Sequence, residues 1–89
     1  MSATAHDMVN QAQPPQRTLV VGLGVTGLSV ARFLAARGVE VAVTDSREAP
    51  PGLEAVRREL PDVALFVGGF DASIFARAGR IVLSPGVAL

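Results

Sequence analysis

The 89-residue chain contains no cysteine, which excludes disulfide frameworks, cysteine nucleophiles and thiolate metal sites. It also contains no lysine, because all eight basic residues are arginines. A G-x-x-x-x-G-K-[ST] triphosphate loop therefore cannot be built from it, and any ATP chemistry must lie elsewhere. Eight arginines stand against eight acids, leaving no basic stripe to follow a phosphate backbone, so nucleic acid is not an expected partner. No apolar run approaches the roughly 20 residues of a membrane helix, and no membrane partner is expected. The polar opening, residues 1–16, lacks the basic start and apolar centre of a signal peptide. A soluble, cytoplasmic chain is the expectation, with residues 1–16 as a disordered tail ahead of one domain at 17–89. His6 lies in that tail without an Asp, Ser or metal-ligand partner at useful spacing, and no function is expected of it.

What is present begins with Leu19-Val20-Val21, then Gly22-Leu23-Gly24-Val25-Thr26-Gly27, then the helix-like stretch Leu28–Arg37. Strand, G-x-G-x-x-G and helix in that order form a phosphate-binding pattern. The first glycine permits a tight turn, and the second lets the backbone approach a pyrophosphate. The third, Gly27, lets the helix pack closely on the strand. The free N–H groups and positive dipole end of the helix then face an anion. A second strand ends at Asp45, about 20 residues beyond the first glycine, near the offset at which an acid meets a nucleoside in this fold.

Strands and helices alternate after the tail. Strands are expected at Arg17–Gly22, Glu40–Thr44, Val63–Val67 and Arg80–Leu83, and helices at Thr26–Arg37, Leu53–Leu60 and Ala72–Ala78. Gly38 should close the first helix and Asp71 cap the third. Glu54 and Arg58 are placed for an i,i+4 pair on the solvated face of the second helix, beside Arg57 and Glu59. This β-α-β-α-β-α-β order requires a Rossmann-like open parallel sheet with helices on both faces. The sheet is expected to continue beyond the fourth strand in a longer enzyme.

Ligands of such sheets bind outside the carboxyl ends of the strands. Three turns there carry polar or glycine chemistry: Gly22–Gly27, Asp45-Ser46-Arg47 and Ser84-Pro85-Gly86. Each also has a plainer reading. The glycines can serve only a tight turn, Asp45 and Arg47 can be solvated loop charges, and Ser84-Pro85-Gly86 can be an ordinary turn. No nucleophile–base pair, metal cluster or paired carboxylates can be assembled, so binding is expected here and catalysis is not.

Val21-Gly22-Leu23-Gly24-Val25-Thr26-Gly27-Leu28-Ser29, Asp45-Ser46-Arg47 with Pro50-Pro51-Gly52-Leu53, and Leu83-Ser84-Pro85-Gly86-Val87 together resemble the N-terminal domain of the MurD-type Mur ligases. The resemblance covers Arg17 to Leu89. It implies one part of a three-domain, ATP-dependent ligase that joins D-glutamate to UDP-N-acetylmuramoyl-L-alanine in cytoplasmic peptidoglycan precursor synthesis. ATP phosphorylates the substrate carboxylate, and the D-glutamate amine then attacks it. ATP and Mg²⁺ would be held by a central domain outside this segment, which would bind no cofactor of its own.

Carried onto these positions, the resemblance places the Gly24, Val25, Thr26 and Gly27 backbone on the diphosphate. It places Asp45 and Ser46 on the uracil, Arg47 beside it, and Ser84, Pro85 and Gly86 on the far side of the nucleotide. Ser46 stands where the family often has threonine, and keeps the hydroxyl. An NAD-dependent oxidoreductase or NAD-sensing domain shares the glycine turn and the acid, but gives no reason for the Pro-Pro-Gly loop or the Ser-Pro-Gly turn. A stand-alone regulatory domain without its ligand is a third reading. Replacing Asp45 by alanine is expected to abolish nucleotide binding and leave the fold intact.

Overall fold

A computed structural model of the chain describes residues 17–84, so the expected tail and the Pro85-Gly86 pair lie outside the described residues. Seven elements follow one another: β1 (Thr18–Val21), α1 (Val25–Ala36), β2 (Val41–Asp45), α2 (Leu53–Glu59), β3 (Ala64–Val67), α3 (Ala72–Arg77) and β4 (Arg80–Leu83). The four strands form one sheet in the order β3-β2-β1-β4, and every pairing is parallel. This is the α/β architecture expected of the alternation.

The apolar run of β1 has a direct cause. As an inner strand it is covered on both faces, and all four of its residues are buried. Val20 and Val43 point to the face carrying α1 and α2, where they join Leu23, Ala31, Leu53 and Val56. Leu19, Val21 and Ala42 point the other way, where Ile74 and Phe75 of α3 cover them together with Phe66. Each fully buried Val or Leu contributes about 1.5–3 kcal/mol relative to exposure. In β4, Ile81 and Leu83 stand in register with Leu19 and Val21 but are 47% and 65% exposed.

Helix ends follow their sequence signals. Gly38 adopts a φ of +79°. Its N–H donates to the Ala35 carbonyl, and the Val39 N–H reaches back to Leu34 O at 3.1 Å. That pair of bonds is a Schellman closure, which needs a residue at ease in the left-handed region. Asp71 caps α3, accepting the Ser73 N–H at 2.8 Å.

Charge pairing departs from expectation. Glu54 pairs with Arg57 rather than Arg58. Arg58 lies beside Glu59, which accepts two bonds from Arg32 of α1 at 2.8 and 2.7 Å. Arg58 is thus drawn to the Glu59 carboxylate, and Glu54 takes Arg57 at i,i+3 in its place. Among the described residues no helix is long and apolar enough to cross a membrane.

Candidate functional site

The glycine turn joins β1 to α1 at the carboxyl edge of the sheet. Gly22 holds a φ of +101°, a conformation that a side chain would strain, and its N–H donates to Thr44 O of β2 at 2.8 Å. Gly27 lies so close to the strand that a Cβ there would collide with the Gly22 carbonyl. Gly24 differs: a Cβ on it would meet nothing within 4 Å. Backbone conformation explains the first glycine and packing the third, whereas the second borders open space.

Helix α1 starts one residue earlier than the sequence suggests because Gly24 serves as its N-cap, with no side-chain capping bond. The first bond of the helix is Leu28 N–H to Gly24 O at 3.0 Å. The amides of Val25, Thr26 and Gly27 precede it, at the positive end of the helix dipole. Beside them, the Ser84 N–H donates to Val21 O at 2.9 Å. The Ser84 hydroxyl lies 3.4 Å from the point a Gly27 Cβ would occupy, so the end of β4 abuts the turn. The strand order reverses between β1 and β4, which is where open α/β sheets bind ligands.

Asp45 ends β2 on the other side of the turn and is the one buried carboxylate among the described residues. Its Oδ2 accepts the Leu23 N–H at 2.8 Å and Arg47 Nη2 at 2.6 Å. Its Oδ1 accepts the Arg47 N–H and Nε, both at 2.9 Å. The Arg47 guanidinium, aided by the Arg47 and Leu23 amides, holds the carboxyl down to about 2 against the opposing effect of burial. The partner guanidinium is raised in turn by the Asp45 carboxylate. Ser46 is exposed, and Gly68 N–H braces the loop by donating to Asp45 O and Arg47 O.

The structure thus gathers Gly24, Val25, Thr26, Gly27, Asp45, Ser46, Arg47 and Ser84 at one edge of the sheet, and Pro85 and Gly86 fall outside the described residues. Two residues carry contacts that the sequence pattern does not reveal. Leu23, fully buried, donates its N–H to Asp45 and accepts the Gly52 N–H at 3.0 Å. A Cβ on Gly52 would meet Leu23 Cγ at 3.0 Å and Leu23 O at 3.2 Å. The Pro-Pro-Gly loop is therefore packed onto the glycine turn. Its proline–glycine pattern signalled a turn, but nothing in it signalled which neighbour the glycine admits.

Among the described residues no three His, Cys, Asp or Glu side chains gather as metal ligands. With lysine also missing, the described residues offer neither a triphosphate loop nor a carboxylate cluster that fits ATP and Mg²⁺.

Known proteins match this chain along most of its length. The model of the family described as Mur ligase MurD-like, N-terminal domain, matches residues 16–89. The chain is similar to a UDP-N-acetylmuramoylalanine--D-glutamate ligase of Nitrosococcus oceani, 53% identical over 92% of this chain and 19% of that protein. Proteins of the same description from Methylococcus capsulatus and Marinobacter nauticus are 55% and 49% identical, over 82% and 83% of this chain. The chain spans only 16% to 19% of the length of these relatives. Nothing in these matches favours the oxidoreductase expectation. Matched by that family's model along residues 16–89, the chain belongs to the Mur ligase MurD-like N-terminal domain family.

Proposed function

We propose that residues 17–89 form the nucleotide-anchoring domain of an ATP-dependent ligase that adds D-glutamate to UDP-N-acetylmuramoyl-L-alanine. The work would belong to peptidoglycan precursor synthesis in the cytoplasm. The observation that carries this reading is the 53% identity over 92% of the chain to a relative bearing that activity in its name. The geometry agrees with it. The Val25, Thr26 and Gly27 amides, uncapped by any N-cap side chain, would receive the diphosphate at a helix N-terminus. The open side of Gly24 would let the phosphates approach the backbone. Asp45 and Ser46 would read the uracil with Arg47 beside it, and Ser84, Pro85 and Gly86 would close the far side. D-glutamate, ATP and Mg²⁺ would be handled by other parts of the ligase. Holding a remote UDP handle helps position the reacting carboxylate, so binding energy spent here serves chemistry elsewhere.

The test is an amide chemical-shift titration of the chain with UDP and, separately, with NAD. Shifts confined to Gly22–Gly27, Asp45–Arg47 and Ser84–Gly86 with UDP alone are expected. Selective shifts with NAD, or a spectrum silent to both, would count against the proposal.

A further inference from the structure

The Asp45 carboxylate has no acceptor position to spare. A carboxylate offers about four lone-pair sites, and four donors fill them: the Leu23 N–H, the Arg47 N–H, Arg47 Nε and Arg47 Nη2. Three of the four belong to Arg47. The Asp45 side chain is 4% exposed and that of Arg47 54% exposed, so the guanidinium lies between the carboxylate and solvent.

The donors differ in how they can leave. Leu23 is fully buried and fixed from its other side by the Gly52 N–H. Withdrawing its amide would dismantle the glycine turn. The Arg47 side chain hangs on rotatable bonds at the surface, and water can solvate the guanidinium once it swings away.

We infer that Arg47 is a displaceable occupant of the nucleobase acceptor: a base N–H reaches Asp45 only as the Arg47 guanidinium leaves it, while the Leu23 bond stays in place. This rests on the nucleotide reading above and adds a determinant of selectivity to it. The exchange removes two charge-assisted bonds from Asp45, and a base N–H returns one neutral donor. A ligand that also carries phosphate gives the released guanidinium a new anion. A nucleoside alone does not. Arg47 therefore sets a nucleoside diphosphate apart from a nucleoside without itself reading the base.

The experiment follows the Arg47 Nε–H and the backbone amides of Leu23 and Gly24–Gly27 by NMR as UDP is added to the full chain. The Nε–H is expected to leave its hydrogen-bonded position in step with the Gly24–Gly27 amides, while the Leu23 amide remains bonded. Amides that saturate while the Nε–H stays fixed would overturn the inference and leave the nucleotide reading standing. Amides that do not respond at all would remove the nucleotide reading, and the inference with it. As a second measurement, Arg47→Ala is expected to tighten uridine binding by roughly three- to ten-fold, the equivalent of one net hydrogen bond no longer competed away. It should also narrow the preference for UDP over uridine. Uridine binding that is unchanged or weaker in that variant would overturn the inference as well.

Discussion

The Leu23 amide donates to Asp45 Oδ2 over 2.8 Å, joining the glycine turn after the first strand to the acid at the end of the second. That bond gives Asp45 a structural duty apart from any ligand. It fixes the peptide between Gly22 and Gly24 and so determines where the amides of Val25–Gly27 point. The residue proposed to read a base would thus also set the proposed phosphate cradle, coupling the two halves of that site through one carboxylate.

Asp45→Ala should consequently do more than abolish UDP binding. It leaves the buried Leu23 N–H without its acceptor, which costs about 1–3 kcal/mol. Loss of the half-exposed Arg47 pair adds about 1 kcal/mol to that. Asp45→Asn keeps a carbonyl oxygen for Leu23 and should retain most of that stability at neutral pH. Urea unfolding of the two variants checks this. Equal losses in both would mean that the Leu23 bond is not what Asp45 contributes.

Acid should remove the charge that the Arg47 guanidinium, with the Arg47 and Leu23 amides, holds on Asp45. The Asp45 carboxyl titrates near 2 when folded against an ordinary 3.8. A folded value below the unfolded one stabilises the protein above the unfolded value, and the gain is lost as pH falls through the folded one. About 1–2 kcal/mol is at stake once solvent screening of Arg47 is allowed for. Unfolding midpoints should hold steady above roughly pH 5 and fall between about pH 4 and 2. Asp71, held by Ser73, and Glu59, held by Arg32, are lowered too and act in the same direction. Asp45→Asn should therefore flatten only part of the acid limb, as followed by urea midpoints across that range.

What was legible in the chain is what depends on neighbours along it. Leu19-Val20-Val21 announces a strand covered on both faces, and Gly38 after an amphipathic run announces a helix end. Gly22 to Gly27 in front of that run announces the turn. The strand Arg80–Leu83 matches the structure to the residue. Lateral facts were not legible. Nothing along the chain says that Asp45 turns inward to Leu23, or that Glu59 reaches Arg32 of another helix. Leu23 itself is an unconstrained position of G-x-G-x-x-G, yet the end of the second strand and the Pro-Pro-Gly loop both converge on it. Their meeting is set by strand order and by how closely the second helix approaches, neither of which the glycine pattern encodes.

The glycines of the turn should separate fold from binding. Gly24→Ala places a methyl group in open space, and the N-cap backbone there, with φ of −92°, suits any residue. Stability should change by no more than about 1 kcal/mol, the scale of an N-cap substitution, while UDP affinity falls because the methyl group occupies the phosphate approach. Gly27→Ala drives a Cβ into the Gly22 carbonyl and should cost about 3 kcal/mol or more. Thermal unfolding and UDP titration of both variants provide the comparison. A Gly24→Ala protein that binds UDP like the parent would remove Gly24 from the site.

Gly52 offers the sharpest test of the convergence on Leu23. Its backbone is right-handed, with φ of −87°, so alanine there meets no conformational objection. The obstacle is steric: the new methyl group would stand 3.0 Å from Leu23 Cγ, 3.1 Å from Cδ1 and 3.2 Å from the Leu23 carbonyl oxygen. Leu23 is fully buried and cannot yield freely, so Gly52→Ala should cost about 1–3 kcal/mol as overpacking. The strain is transmitted through Leu23, so the Leu23 amide resonance should move even though Asp45 and Arg47 are untouched. UDP binding should weaken in parallel. A variant with lowered stability but an unshifted Leu23 amide would show that the Pro-Pro-Gly loop only packs against the turn. A shifted amide with weakened UDP binding would show that it helps hold the phosphate cradle in shape.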